Sequence, residues 1–186
     1  PNTFDIQAEP VPLANRPGQS TLPPGVRFAG GWSLTSDHAE FGGLSGVDLL
    51  PDGSLLTVSD TGAFIWIGMD GGAPDGTGSI AYMKGPDGQL LQGKRDADAE
   101  GLALTDDLAF VSFERRHRVA AFDLVTCGAS ARSAAFSDLP QEVSGTSIRE
   151  NSGAEALSAG KTLIAGFEQI VDGLSPLVSL SPTGPT

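Results

Sequence analysis

The sequence predicts an all-β fold assembled from repeated four-stranded antiparallel units. Two features of composition and one of spacing lead there. Gly 25 and Pro 13 are abundant and charged residues make up only 18% of the chain, a balance that suits short strands joined by tight turns. No sustained helical period appears, and one segment recurs every 55 residues. At 186 residues the chain has the size of a single domain with its own core.

In chain order, residues 1–25 carry Pro1, Pro10, Pro12, Pro17, Pro23 and Pro24 and no steady alternation, which reads as an irregular lead-in. Val26 to Leu34 has strand composition, and Gly30 and Gly31 at its centre suggest a bulge or a close backbone approach. The structured domain is expected over 26–186.

Three segments then superpose: Leu44 to Asp60, Ala99 to Glu114 and Ala154 to Glu168. Ser45, Glu100 and Glu155 hold one position, each 55 residues after the last. Each copy is a strand, a turn (Pro51-Asp52-Gly53, Thr105-Asp106-Asp107, Ala159-Gly160-Lys161) and a second strand ending at Asp60, Glu114 or Glu168. That is hairpin chemistry. Ala154 to Ala159 also tolerates a helix, but Gly160 and the Leu163-Ile164 strand stop one. Further runs follow each hairpin at Ala63–Ile67, Val119–Phe122 and Leu177–Leu180, so each unit has room for four strands and a long loop.

Repeated four-stranded units point to a β-propeller, in which each blade's first strand lines a central channel. Propellers need about 4–8 blades. The sequence offers about three blades plus one strand, so the ring is expected to be incomplete in this chain.

Charge narrows the partners. With 23 acidic against 11 basic side chains the net charge is −12, which repels nucleic acid and anionic lipid and suits hard cations such as Ca²⁺, or simply a solvated acidic surface. No apolar run reaches the roughly 18 residues of a membrane span. Cys127 is the single cysteine, so no intrachain disulfide forms and no zinc set is built; it reads as a small buried or edge residue. A start at Pro1 rather than Met is explained by removal of an export signal or by an engineered start.

The repeat sets candidate chemistry. Propeller geometry puts Ser45, Glu100 and Glu155 at the start of inner strands and Asp60, Glu114 and Glu168 at the end of their hairpin partners, on one rim. Carboxylates so close repel one another unless a hard cation intervenes. Asp60, Asp98, Glu100, Glu114, Glu155 and Glu168 are therefore the candidate metal ligands, densest in Asp96-Ala97-Asp98-Ala99-Glu100. The alternative is that they accept backbone N–H bonds or pair with arginines to seal blade contacts. Arg115 and Arg116, in Glu114-Arg115-Arg116-His117-Arg118, suit an anionic substrate group, or else pair with nearby acids at a strand exit.

Nucleophilic catalysis has little support. Gly43-Leu44-Ser45-Gly46-Val47 lacks the second glycine of a nucleophile elbow and precedes a strand. Only His38 and His117 are present, with no triad spacing, and Arg116-His117-Arg118 lacks the Arg-His-Gly start of histidine acid phosphatases. Catalytic residues are not assigned from sequence.

The segments Phe41-Gly42-Gly43-Leu44-Ser45-Gly46-Val47, Asp98-Ala99-Glu100-Gly101-Leu102-Ala103, Ser112-Phe113-Glu114-Arg115 and Asn151-Ser152-Gly153-Ala154-Glu155-Ala156-Leu157 together resemble the phytase-like domain of exported bacterial proteins, described by an esterase-like activity. The resemblance runs from about Val26 to Phe167. It implies a propeller-like fold, a periplasmic or secreted location, and hydrolysis of a small-molecule phosphate or carboxylate ester. Similar calcium-dependent β-propeller phytases hold metal ions with carboxylates at the channel mouth. Glu100, Glu114, Glu155 and Asp60 match by position in the repeat, not by a shared motif. The resemblance leaves a second expectation open, a non-catalytic exported propeller that binds a ligand or protein.

Overall fold

The computed structural model describes residues 1–13, 22–181 and 184–185. Residues 14–21 of the expected lead-in, and Pro182, Thr183 and Thr186 of the turn-rich end, lie outside the described residues.

The chain opens with β1 (Asn2–Asp5), β2 (Gln7–Pro10) and β3 (Trp32–Thr35), followed by a meander of β4 (Leu44–Leu49), β5 (Leu55–Ser59), β6 (Ala63–Asp70) and β7 (Ala73–Tyr82). A helical turn α1 (Lys94–Ala97) leads to a second meander, β8 (Ala99–Leu104), β9 (Ala109–Phe113) and β10 (Arg118–Phe122), then α2 (Leu124–Cys127) and its closing strand β11 (Ala134–Asp138). The small hairpin β12 (Glu142–Val143) and β13 (Thr146–Ser147) precedes a third meander, β14 (Ala154–Ser158), β15 (Leu163–Phe167), β16 (Leu177–Ser181) and β17 (Gly184–Pro185). All pairings between these strands are antiparallel.

Each repeat is thus an up-and-down sheet in chain order: β4 to β7 with β1 on its outer edge, β8 to β11, and β14 to β17. Local chemistry makes the turns. Asp52 Oδ1 accepts the Ser54 amide at 3.0 Å and its hydroxyl at 2.6 Å, closing the first hairpin in an Asx-type turn. The tight Asp70–Ala73 connection rests on Gly71 (φ 58) and Gly72 (φ 85), the paired left-handed residues that match strand twist.

Strand alternation gives every sheet two faces, and the faces explain the core. Leu56, Val58 and Phe64 of the first sheet meet Leu102, Val111, Phe113, Ala120 and Phe122 of the second. On the second sheet's other face, Ala103, Phe110, Val119 and Ala121 meet Leu163, Ala165, Phe167 and Leu180 of the third. The first sheet's outer face, Ala63, Ile65, Ile67 and Ile80, is covered by Phe4, Ile6 and Leu34. The three sheets therefore stack face to face through their chain order, with β4, β8 and β14 adjacent along one side. They do not close into a barrel.

The irregular lead-in is corrected. Residues 2–10 form β1 and β2, which pair with β7 and β3, because Phe4, Ile6 and Ala8 alternate inward beneath the prolines. The strand expected over Val26 to Leu34 is shorter and later, Trp32–Thr35, and one further bond, from the Val11 amide to the Gly31 carbonyl at 2.8 Å, continues its pairing with β2. Cys127 is also placed differently, free and exposed at the end of α2.

Candidate acidic site at the hairpin rims

The site begins with three equivalent irregularities. β4 and β5 pair Leu44 with Ser59 and then Gly46 with Val58, skipping Ser45. β14 and β15 pair Ala154 with Phe167 and then Ala156 with Gly166, skipping Glu155. β8 and β9 pair Ala99 with Phe113 and then Leu102 with Val111, displacing Glu100 and Gly101. A bulge re-aims its side chain away from the regular alternation, and here it turns the 45, 100 and 155 positions toward the rim. The second strands are tied back in the same way each time. Asp60, Glu114 and Glu168 donate their amides to the carbonyls of Gly43, Asp98 and Gly153 at 2.9, 2.9 and 3.1 Å.

Two acidic triads result. Asp98, Glu100 and Glu114 each bring a carboxylate oxygen within 4.8 Å of the others, and so do Glu114, Glu155 and Glu168. Glu114 belongs to both. Asp98 and Glu114 are buried at 2% and 3% exposure, Glu100 is half-buried, and Glu155 and Glu168 are exposed. Burial, then the charge of Glu155, pushes the Glu100 carboxyl up to about 7, although a hydrogen bond from the Ser45 hydroxyl opposes it. Burial, followed by the charges of Glu114 and Glu168, raises Glu155 as well.

The triads differ in compensation. Asp98 is paired with Lys94 at 2.9 Å and with Arg115 Nε at 2.9 Å, and Lys94 also reaches Asp60 at 2.7 Å. Asp60 thus stands with Lys94 rather than in either triad. Among the described residues no lysine or arginine forms an ion pair with Glu114, Glu155 or Glu168. Arg115 is further held by Asn151 Oδ1 at 3.0 Å and sits at φ 55. Arg116 is exposed and only 3.8 Å from Asp96.

Behind the rim, residues 149–153 are clamped. Arg115 donates its amide to the Glu150 carbonyl at 2.8 Å, and Gln169 Oε1 accepts the Arg149 amide at 2.8 Å. The buried His117 ring donates Nε2–H to the Arg149 carbonyl at 3.1 Å, which leaves Nδ1 without a partner. The loop ends at Gly153, whose amide donates to Glu114 Oε1 at 2.8 Å. Sequence reasoning missed Asn151, Gly153, Gln169 and His117 in these supporting places. For Gly153 a signal existed, since Gly43, Asp98 and Gly153 keep the same 55-residue spacing as the rim positions.

A cavity of about 410 Å³ lies elsewhere, at the turn ends of the strands among Leu50, Leu56, Trp66, Leu104 and Leu124. It contains none of the triad residues, so the acidic rim and this apolar hollow between the first two sheets are separate features.

The family model for phytase-like proteins, described as esterase-like activity of phytase, matches residues 39–176. The chain belongs to this phytase-like family. The matched span holds all three bulges and both triads. No curated protein matches the chain.

Proposed function

We propose that this phytase-like chain is a hydrolase of small-molecule phosphate or carboxylate esters, with a Ca²⁺ ion held at the acidic rim. The observation that carries the reading is the triad of Glu114, Glu155 and Glu168, three carboxylates within 4.8 Å with no ion-pair partner among the described residues. Its donors are all oxygen, the set that a hard cation selects. Glu114 and Glu155 with Glu168 are the residues that hold the ion in this reading, and Asp98 and Asp60 are supporting acids already balanced by Lys94 and Arg115. When bound, Ca²⁺ supplies charge neutralisation of an ester anion and acidifies water at the rim.

The chain's own residues do the rest. Glu100, held at about 7 by burial and by Glu155, lies in the range where a carboxyl both accepts and returns a proton near neutral pH. Ser45, whose hydroxyl donates to the Gly43 carbonyl at 3.3 Å, stands at the equivalent bulge of the neighbouring sheet. Arg116, exposed and in a long 3.8 Å ion pair with the exposed Asp96, is the more open of the two arginines to an incoming anion, whereas Arg115 is engaged with Asp98 and Asn151.

In this reading the three stacked sheets are blades of a propeller, with β4, β8 and β14 along the channel. An exported setting, periplasmic or secreted, accompanies it, where millimolar Ca²⁺ fills sites of modest affinity.

Calcium titration followed by thermal unfolding, together with hydrolysis of p-nitrophenyl phosphate and p-nitrophenyl acetate, tests the proposal. Ca²⁺-dependent stabilisation with turnover of either ester supports it. The engagement of Arg115 favours one competitor, a calcium-stiffened binding module, and stabilisation without turnover on both esters selects it. Absence of any Ca²⁺ response removes the metal site.

A further inference from the structure

The apolar hollow between the first two sheets is walled on one side by a single cross-strand row. Asp48 pairs with Leu56 and Leu56 with Trp66, so the three side chains share the face that meets the second sheet. Leu56 is fully buried there, and Trp66 packs against the same core with its ring 6.1 Å from that of Phe64. Leu104 and Leu108 of the β8–β9 hairpin and Leu124 of α2 form the opposite wall. The volume of about 410 Å³ falls within the roughly 300–1,000 Å³ of small-molecule sites.

The charges of the hollow have one sign. Asp48, Asp106 and Asp107 line it and no basic side chain does, and among the described residues none of the three forms an ion pair. Asp48 is half-buried and accepts the Leu49 amide at 2.8 Å and the Leu104 amide at 2.9 Å. A carboxylate offers about four acceptor positions, so this one keeps capacity for a further donor, against leucines and an indole. The three acids do not gather around a metal-sized space: among the described residues, three ligand atoms come within 4.8 Å of one another only in the two rim triads. The repeat shows that the fold does not require them. At the same 55-residue spacing, Asp48 is followed by Ala103 and Asp106 by Lys161. The smaller hollow of about 280 Å³ between the second and third sheets is lined by Lys161 and by Phe110 and Phe136, whose rings meet at 4.9 Å.

We infer that this hollow is a binding site for an organic cation, an ammonium carried on an aromatic or alkyl body. The body displaces water from Leu56, Leu104, Leu108 and Leu124. The ammonium sits between Asp48 and the Trp66 face, where a carboxylate and a ring quadrupole attract the same charge. Asp106 and Asp107, both exposed beside it, raise the local concentration of cations and turn anions away. The ligand is thus opposite in charge to the ester anion proposed for the rim, and the site does not rest on that proposal.

NMR titration of the isotope-labelled full chain with 2-phenylethylammonium tests the site, with 3-phenylpropionate and 2-phenylethanol as anionic and neutral counterparts. The Trp66 indole N–H and the Leu104 and Leu124 amides are expected to shift saturably, with a Kd of about 1 mM or below. The alcohol should bind more weakly, and the propionate at least about tenfold more weakly than the ammonium. Val125, 73% exposed where it lines the hollow, offers variants that fold as the parent does. Val125→Lys sets a like charge beside the ligand and should weaken binding about threefold or more, whereas Val125→Gln should keep it. No saturation by about 20 mM ammonium, far above that Kd, overturns the inference. Equal affinity for ammonium and propionate overturns it by removing the preference for positive charge, and shifts confined to Glu100, Glu114 and Glu155 do so by placing the cation at the rim. A Val125→Lys variant that binds as tightly as Val125→Gln overturns it too. None of these readouts involves Ca²⁺ or ester turnover, so this site and the hydrolase reading fail separately.

Discussion

Gly153 donates its amide to the Glu114 carboxylate at 2.8 Å, and that bond orients the one side chain shared by both acidic triads. A buried carboxylate that accepts a backbone N–H is held at a fixed angle. Glu114→Gln keeps the shape and an acceptor oxygen but removes the charge. The variant is expected to bind Ca²⁺ at least about tenfold more weakly, in line with losses when metal-site residues are altered. In chelator its melting temperature should not fall, because a like charge has left the cluster. Calorimetric titration reads the first effect and scanning calorimetry the second. Unchanged calcium affinity would remove Glu114 from the site.

The raised carboxyls give the metal-free protein a distinctive pH profile. Glu100 moves from its ordinary 4.5 to about 7, through burial first and Glu155 second, and Glu155 rises in the same direction. A carboxyl that binds its proton more tightly when folded stabilises the fold below its unfolded value and gives that up as pH rises through the folded value. Stability in chelator is therefore expected to fall between pH 5 and pH 8. Asp52 and Asp75, lowered by side-chain hydrogen bonds from Ser54 and Thr77, act below 3.8 and leave this window untouched. Ca²⁺ should restore stability most at pH 8, where protons compete least. Glu100→Gln should flatten the slope. Melting temperatures that stay level or climb from pH 5 to pH 8 in chelator would contradict the assignment.

Asp98 acts through its ion pairs. It is buried and carries both Lys94 and Arg115 at 2.9 Å. Asp98→Asn keeps one acceptor oxygen but removes the charge and sets an NH2 donor against one of the two cations, and a loss of about 1–3 kcal/mol is expected from the weakened charged hydrogen bonds. Urea unfolding measures it. Arg115→Lys is expected to recover only part of the pairing, because the guanidinium also reaches Asn151 and an ammonium lacks that fork.

The hairpins were legible because their causes are local. Pro51-Asp52-Gly53 and Ala159-Gly160-Lys161 carry turn chemistry within a few residues, and the strands on either side lie where that chemistry puts them. The rim was legible for a different reason: a repeat places equivalent residues equivalently, so Glu100, Glu114, Glu155 and Glu168 meet. Asp60 obeys the repeat yet stands apart from the triads, because Lys94 claims it, whereas Arg149, 55 residues after Lys94, turns to Gln169 instead. The pairing of β1 with β7, which sets Asn2 opposite Ile80, depends on distant partners and left only the Phe4-Ile6-Ala8 alternation as a trace. The unpartnered Nδ1 of His117 and the burial of Asp98 are products of packing alone.

Close approach of the sheets makes the glycines at the repeat position a sharp test. At Gly46 a methyl group would sit 2.6 Å from the Leu102 amide nitrogen, which is backbone and cannot swing aside. Gly46→Ala must push β8 off β4, and overpacking of this kind costs roughly 1–3 kcal/mol. Because β8 pairs with β9, which Glu114 directly follows, calcium affinity should weaken together with stability. Gly160→Ala is the control: its Cβ would meet nothing within 4 Å, and its stability and calcium binding should match the parent. Equal unfolding midpoints for the two variants would show that β4 and β8 are not packed this closely in solution. A destabilised Gly46→Ala with normal calcium binding would separate the packing of β4 on β8 from the ion's site.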